Sequence, residues 1–169
     1  MTASAAIFAG AATVPLICAE NDVVQVAASA AGVTVDLGLA TAQASAGDAS
    51  GDVLSNIEDF LGSANDDTVI SSAAANAIDG AGGNDTVSYA NSAAGVTVDL
   101  TIAGAQTSVG DASGDTLTNV EHLTGSAQAD TLSGNASANA ISGGAGNDTI
   151  EGRAGADTID GGAGTDTAS

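Results

Sequence analysis

The sequence contains few of the side chains that build a thick globular core. Only 2% of its 169 residues are aromatic, although 44% are hydrophobic, and much of that hydrophobic fraction is alanine. Large apolar side chains supply most of the buried area that offsets the loss of chain entropy on folding. A chain of this composition must therefore bury thin, regular layers or depend on another stabiliser.

Basic residues are almost absent. Arg153 is the only one, and it faces 21 acidic residues, so that the formal net charge is −20. Such a charge repels phosphate backbones and anionic membrane surfaces, which argues against nucleic-acid binding and membrane-surface binding. The natural counter-ion is a hard cation with oxygen ligands. Most of the acids are Asp, the short carboxylate that fits tight turns and coordinates calcium together with backbone carbonyls.

Cysteine and long apolar runs are also scarce, which excludes further classes of fold. Cys18 is the single cysteine, so neither an intramolecular disulfide nor a cysteine-based zinc site can form. No run of 18 strongly apolar residues exists, and we expect no membrane insertion. Residues 1–19 are small and apolar but lack the basic start of a signal peptide. We expect a degenerate coil or a cap there, with a cleaved signal peptide as the alternative.

The chain contains a long internal duplication. The segment 31–37, Ala-Gly-Val-Thr-Val-Asp-Leu, returns unchanged at 94–100, and the segment 47–52, Gly-Asp-Ala-Ser-Gly-Asp, returns with the same offset at 110–115. We therefore divide the chain after residues 1–19 into a first repeat unit, 20–88, and a second, 89–169, and predict one continuous solenoid.

A nine-residue repeat lies inside each unit. It runs from Gly125 to Ser169 and, in the same form, over 62–88. The sixth residue of each block is Asp or Asn, and the eighth is apolar. The sixth residues are Asp67, Asn76 and Asp85 in the first series and Asp130, Asn139, Asp148, Asp157 and Asp166 in the second. Outside the two series, residues 27–61 and 90–124 alternate apolar and polar residues, which predicts short strands in larger coils.

Each block combines a turn with a short strand. In 143–151 the first six residues can turn tightly because glycine permits positive φ, and the last three are extended with only the middle one pointing inward. Two blocks make one coil, so equivalent residues two blocks apart are expected in neighbouring coils about 4.8 Å apart. One edge then carries Asp130, Asp148 and Asp166, and the other carries Asn139 and Asp157.

This stacking predicts calcium sites between neighbouring turns. A calcium ion takes about six to eight oxygens, more than one turn provides, whereas two stacked turns can supply them from Asp carboxylates and backbone carbonyls. The strongest candidate site is formed by Gly143, Gly144, Gly146 and Asp148 with Gly161, Gly162, Gly164 and Asp166. The next candidates join Asp130 with Asp148 and Asp67 with Asp85, and Asp157 is a candidate on the opposite edge.

These blocks resemble the hemolysin-type, or RTX, calcium-binding nonapeptide, Gly-Gly-x-Gly-x-Asp-x-apolar-x. The resemblance is closest over 143–169 and good over 80–88. It implies an all-β, right-handed parallel β-roll, or β-solenoid, with calcium in its turns. It also implies a location outside a bacterial cell, after export in an unfolded state and folding by external calcium. Several blocks depart from the pattern, because Arg153, Asn76 or Asn139 replaces a family residue or because Ser or Ala replaces Gly.

Calcium is therefore expected to control folding. A metal that binds only the folded coil stabilises it by mass action and also relieves the acidic self-repulsion. The sequence predicts a largely disordered chain in the absence of calcium.

Catalysis is not expected. His122 is the only histidine and has no partner cysteine or lysine, so a structural role is favoured over catalysis. Thr131, Thr149 and Thr167 are predicted to form an outward ladder, which leaves an ice-binding surface as an alternative function. Thr is also simply a good strand residue on an exposed face.

The predicted function is structural. The sequence favours an extracellular or cell-surface calcium-binding module that serves as a spacer, a matrix component or a filament subunit. The last block ends at Ser169 without a cap, and an open strand edge invites pairing. Two explanations follow: end-to-end self-association, or origin as a fragment of a larger RTX adhesin or exported enzyme.

Overall fold

The protein consists of very short parallel strands. The computed structural model describes residues 5–7 and 22–169, and no helix occurs in these residues, hence none that could cross a membrane. The strands are β1 (Ala5–Ile7), β2 (Val23–Gln25), β3 (Thr34–Asp36), β4 (Asp59–Leu61), β5 (Thr68–Ile70), β6 (Ala77–Asp79), β7 (Thr86–Ser88), β8 (Thr97–Asp99), β9 (Thr116–Thr118), β10 (His122–Thr124), β11 (Thr131–Ser133), β12 (Ala140–Ser142), β13 (Thr149–Glu151), β14 (Thr158–Asp160) and β15 (Thr167–Ala168).

The strands form three parallel sheets. Sheet A has the order β1-β2-β4-β6-β9, sheet B the order β14-β12-β10-β7-β5-β3, and sheet C the order β15-β13-β11-β8. Where nonapeptide follows nonapeptide, each strand pairs with the strand two blocks away, as Leu132 with Ile150. The predicted all-β parallel β-roll and its two-block coil are confirmed. Of residues 1–19, only the strand β1 lies within the described part, where it pairs with β2.

The core is one layer of apolar side chains between the sheets. In every strand from β2 to β13 the middle residue is buried and the first residue is not. In sheet B, for example, the buried column is Val35, Val69, Val87, Leu123 and Ile141. Each such side chain contributes about 1.5–3 kcal/mol through its burial. The layer thins in the last coil, where Ile159 is only partly buried and Ala168 is exposed.

The long segments outside the nonapeptide series join the same sheets. Strands β3, β8 and β9 from these segments all pair with nonapeptide strands. Each long loop is held to its strand by a buried glutamine. The Gln106 side chain donates to the Asp99 carbonyl at 3.0 Å and accepts the Asp99 N–H at 3.0 Å, and Gln43 makes the same pair of bonds with Asp36.

A buried polar cluster fixes the second long loop to the first repeat unit. The Asp115 carboxylate accepts hydrogen bonds from the Tyr89 hydroxyl at 3.0 Å, the Ser71 hydroxyl at 2.9 Å and the Asn76 N–H at 2.8 Å. Burial raises the pKa of Asp115, although these bonds oppose the rise, and burial also raises the pKa of Tyr89 well above its ordinary value. Because a buried carboxylate needs donors, the cluster ties three separate segments together.

The duplication does not place its two copies on the same sheets. Strands β4 and β6 belong to sheet A, whereas their counterparts in the second unit, β10 and β12, belong to sheet B. Likewise β5 and β7 belong to sheet B and their counterparts β11 and β13 to sheet C. Each repeat unit is thus shifted by one sheet relative to the other.

Candidate calcium-binding turns

The six-residue turns that open the nonapeptides fall into two classes according to their backbone. In four turns, 80–85, 143–148, 152–157 and 161–166, the second and fourth residues have positive φ. We call these the open turns. The residues and angles are Ala81 (69°), Gly83 (130°), Gly144 (99°), Gly146 (125°), Arg153 (68°), Gly155 (146°), Gly162 (84°) and Gly164 (147°). The other four turns, 62–67, 71–76, 125–130 and 134–139, contain no residue with positive φ, and we call these the closed turns.

In both classes, one carboxylate oxygen of the Asp at the sixth turn position accepts a backbone N–H of the neighbouring coil. Asp148 Oδ1 accepts the Asp130 N–H of the preceding coil at 2.8 Å, and Asp166 Oδ1 accepts the Asp148 N–H at 3.0 Å. The same bond joins Asp85 to Asp67 at 2.7 Å. This ladder uses one oxygen of each carboxylate, so the second oxygen is the one left for a metal.

In the closed turns that contain Asp, a serine takes the second oxygen. The Ser63 N–H donates to Asp67 Oδ2 at 2.7 Å, and its hydroxyl donates to Asp67 Oδ1 at 3.2 Å. In the second copy the Ser126 N–H donates to Asp130 Oδ2 at 2.6 Å and its hydroxyl to Asp130 Oδ1 at 2.9 Å. Both carboxylates are buried and have partners on both oxygens.

In the open turns the second oxygen has lost this donor. Positive φ at the second residue turns its N–H elsewhere, as in the Ala81 N–H, which donates to Asp79 Oδ1 at 3.0 Å. The Oδ2 atoms of Asp85 and Asp148 are buried and have no hydrogen-bond partner. A buried carboxylate oxygen without a donor is costly, and a bound cation removes that cost.

The electrostatics of these two carboxylates favour cation binding. Burial raises the pKa of Asp85 to about 6, and the charges of Asp67 and Glu121 add to the rise, whereas the hydrogen bond from the Asp67 N–H opposes it. Burial likewise raises the pKa of Asp148, and the charges of Asp130 and Asp166 add to that rise. Each carboxylate is therefore destabilised in its charged form, and a divalent ion reverses this destabilisation.

Two open turns stack directly on one another at a single place, 143–148 on 161–166. The Ala163 N–H donates to the Gly144 carbonyl at 2.9 Å, and the Gly146 N–H donates to the Ala163 carbonyl at 2.8 Å. A side chain at Gly143 would collide with Asp148 Oδ2 and with the Gly161 carbonyl oxygen. The absence of side chains here lets a carboxylate oxygen and backbone carbonyls of the two turns approach the same space.

The donor set fits calcium rather than a transition metal. Within residues 5–7 and 22–169, no three His, Cys, Asp or Glu side chains converge on a metal position. A metal between these turns must therefore take most of its ligands from backbone carbonyls, with Asp148 and Asp166 supplying the carboxylates. Oxygen-only coordination by carbonyls and carboxylates is the preference of calcium.

A comparison with protein families identifies the repeat. The family model for the RTX calcium-binding nonapeptide repeat (4 copies) matches residues 56–90, 116–150 and 133–168, which together make up more than half of the chain. The chain belongs to this RTX family. No curated protein matches the chain. Because RTX nonapeptide repeats bind calcium, the matched part is a calcium-binding repeat module, and the predicted cofactor is confirmed.

The matched RTX ranges include all four open turns, and the structure distributes the predicted site residues between the two classes. Asp148 and Asp166 lie in the stacked open turns, together with the predicted glycines Gly143, Gly144, Gly146, Gly161, Gly162 and Gly164. Asp85 and Asp157 lie in open turns whose preceding neighbour is closed. Asp67 and Asp130 lie in closed turns, where hydrogen bonds already satisfy them. Calcium binding by these individual residues stays a prediction.

Three features of the turns were not predicted from the sequence. Ser63 and Ser126 were visible as replacements of the family glycine, but their bonds to the turn acid depend on the backbone of the turn. Ala81 and Arg153 adopt positive φ although they are not glycines. Glu121 accepts the Asp85 N–H at 3.0 Å and so continues the acid ladder from outside the nonapeptide series.

His122 has a structural contact, as expected. Its Nδ1 accepts the Ala140 N–H at 2.9 Å, at the position where Asp59 accepts the Ala77 N–H in the first copy. RTX repeats are calcium-binding structural repeats rather than catalytic units. The hydrogen bond of His122 is likewise structural, because it joins two neighbouring strands.

Proposed function

We propose that the chain is a non-catalytic, extracellular or cell-surface structural module that calcium folds and stiffens, acting as a spacer or matrix component. The observation that carries this proposal is the buried, unpartnered Oδ2 of Asp148 in a turn stacked on a second open turn. RTX repeats are typical of exported bacterial proteins, which supports the proposed location.

The principal calcium site is proposed between the turns 143–148 and 161–166. Asp148 and Asp166 supply carboxylate oxygens, and the carbonyls of the glycine-rich positions supply the rest. The turns that contain Asp85 and Asp157 are proposed as weaker sites, because each stacks on a closed turn. A net charge of −20 adds a general attraction for cations and makes the metal-free coil repel itself.

Calcium titration tests this function. Circular dichroism and thermal unfolding of the metal-free chain should show β structure and stability that increase with calcium, by about 2.7 kcal/mol at a concentration about 100 times the dissociation constant. Isothermal titration calorimetry of Asp166→Asn should show loss of the tightest site. Glu151→Gln removes the same charge from an exposed position in β13 and should leave that site unchanged. Unchanged spectra and no heat of binding in the parent chain would refute the proposal.

The threonine ladder supports a second candidate function. It contains four residues rather than three, Thr97, Thr131, Thr149 and Thr167, all exposed and in register on sheet C. A regular row of this kind suits an ice surface, although Asp99, Ser133 and Glu151 occupy the neighbouring row. Thermal hysteresis in calcium, absent from a Thr131→Lys variant, would establish ice binding.

Self-association is the third component of the proposal. In the described residues β14 and β15 each pair on one side only, so they offer backbone donors and acceptors to another chain. We expect end-to-end contacts in calcium, either with copies of this chain or with further repeats of a larger RTX protein. Sedimentation velocity over a wide concentration range tests this, and a monomer at every concentration would exclude self-association.

A further inference from the structure

In each repeat unit one turn holds its Asp through hydrogen bonds from the serine at the second turn position. Ser126 is 3% exposed, and its hydroxyl lies within hydrogen-bond distance of both oxygens of Asp130, at 2.9 and 3.2 Å. The same hydroxyl accepts the Gln128 N–H at 3.0 Å. One side chain thus joins the turn acid to the fourth residue of the turn.

The arrangement recurs in the first repeat unit, which makes it a property of the repeat. Ser63 reaches Asp67 through its N–H and its hydroxyl, and the Asn65 N–H donates to the Ser63 hydroxyl at 3.0 Å. Neither turn contains positive φ, whereas every open turn contains it at the second and fourth residues. In both turns the serine contacts occur together with a backbone without positive φ. In the closed turn 134–139 the second residue is Asn135, and its Oδ1 accepts the Ser137 N–H at 2.8 Å.

In these turns hydrogen bonds already satisfy the buried carboxylate, so a cation is not needed to stabilise its charge. Asp130 Oδ1 also accepts the Val96 N–H, so the buried carboxylate of Asp130 has donors from two sides. A calcium ion entering this turn would have to displace the serine from both oxygens and reverse the φ of two residues. Asp148, one coil further, meets neither obstacle and keeps a buried oxygen free.

We propose that Ser63 and Ser126 are specificity-determining residues that seal their turns against calcium and hold them in the absence of metal. This inference rests on the proposed function, since it assigns calcium to the open turns alone. Closed turns follow each long loop, and open turns follow the closed ones. Each nonapeptide series therefore begins with two closed turns, which need no calcium, and continues with the open turns that bind it.

Removal of the seal should create a new calcium site. The double variant Ser126→Gly, Gln128→Gly gives the turn freedom at its second and fourth positions. Calorimetry should detect one more bound calcium per chain than in the parent. The matched control is Ala127→Gly with Gln128→Gly, which adds two glycines to the same turn but keeps the serine, and should bind the parental number.

A second pair of variants asks whether the sealed acid binds calcium in the parent chain. Asp148→Asn should lower the calcium stoichiometry, and Asp130→Asn should leave it unchanged. An equal loss from both variants, or no gain in the unsealed variant, would overturn the seal. Calcium binding by the parent chain in either case would leave the proposed function intact.

Hydrogen exchange in EGTA, with a fixed concentration of osmolyte to keep the metal-free fold populated, tests the seal without any bound metal. The Ser126 and Gln128 amides should be protected in the parent chain because both donate inside the turn. The Gln128 amide should exchange at least tenfold faster in Ser126→Ala. Equal exchange rates in the parent and the variant would contradict the seal. Absence of calcium binding by the parent chain would refute the proposed function instead, so the two failures are distinguishable.

Discussion

Replacement of Asp85 by Asn should stabilise the metal-free protein at neutral pH and weaken its response to calcium. Burial raises the pKa of Asp85 to about 6, above the ordinary value of 3.8. The folded chain therefore holds this proton to a higher pH than the unfolded chain does. Stability from this group is fully present below about pH 4, falls as the pH rises to about 6, and stays lost above that value.

The size of the effect follows from the shift. A difference of about two pKa units corresponds to about 3 kcal/mol at most, and relaxation with screening by water reduces this to about 1–2 kcal/mol. Asn at this position does not titrate, and the fold accepts Asn at the equivalent positions Asn76 and Asn139. The stability of Asp85→Asn relative to the parent should therefore rise by about 1–2 kcal/mol between about pH 4 and pH 7.

Urea unfolding in calcium-free buffer at the two pH values measures this difference, with a fixed concentration of osmolyte to keep the metal-free fold populated. Glu151→Gln, at a side chain that is 52% exposed, controls for the loss of one charge from an acidic chain. In excess calcium the order should reverse, because the variant loses a ligand. A difference between parent and Asp85→Asn that is independent of pH, or equal to that of Glu151→Gln, would refute the reasoning.

Three further substitutions and one control test the buried polar cluster, a turn conformation and the core. Tyr89→Phe removes a donor to the buried Asp115 and should cost about 1–3 kcal/mol of unfolding free energy in urea, and no loss would contradict the cluster. Ala81→Gly relieves a φ of 69° and should raise the unfolding free energy by about 0.5–1 kcal/mol, whereas a decrease would argue against that backbone conformation. Ile150→Ala should cost about 2–5 kcal/mol by opening a cavity in the core. Val109→Ala, at a side chain that is 87% exposed, should change stability by less than about 0.5 kcal/mol, and similar effects of the two would contradict the placement of the core.

The periodic part of the fold was predictable from the sequence because it depends on local rules. A glycine-rich turn followed by Thr-apolar-x predicts one inward side chain per block, and Leu132, Ile141 and Ile150 are all buried. A coil of two blocks predicts the pairing of Thr131 with Thr149. Asp148 and Asp166 lie on one edge for the same reason, because they are two blocks apart.

The distinction between open and closed turns was not predictable in this way. The sixth residue is Asp in both 125–130 and 143–148, and only the φ of the second residue decides whether its N–H reaches that carboxylate. Ala81 and Arg153 adopt the open form without glycine, so composition alone does not assign the class. The Asp115 cluster was hidden for another reason, since Ser71 and Asp115 are far apart in the sequence and belong to different units.

The shift of the duplicated unit by one sheet limits how a binding partner can contact both copies. Equivalent outward side chains of the two copies, such as those of β5 and β11, lie on different sheets and face different sides of the roll. A flat partner that binds one copy therefore cannot bind the other at the same time, and no avidity results. Duplication lengthens this protein without raising its valency. A partner that recognises both copies would have to wrap around the roll.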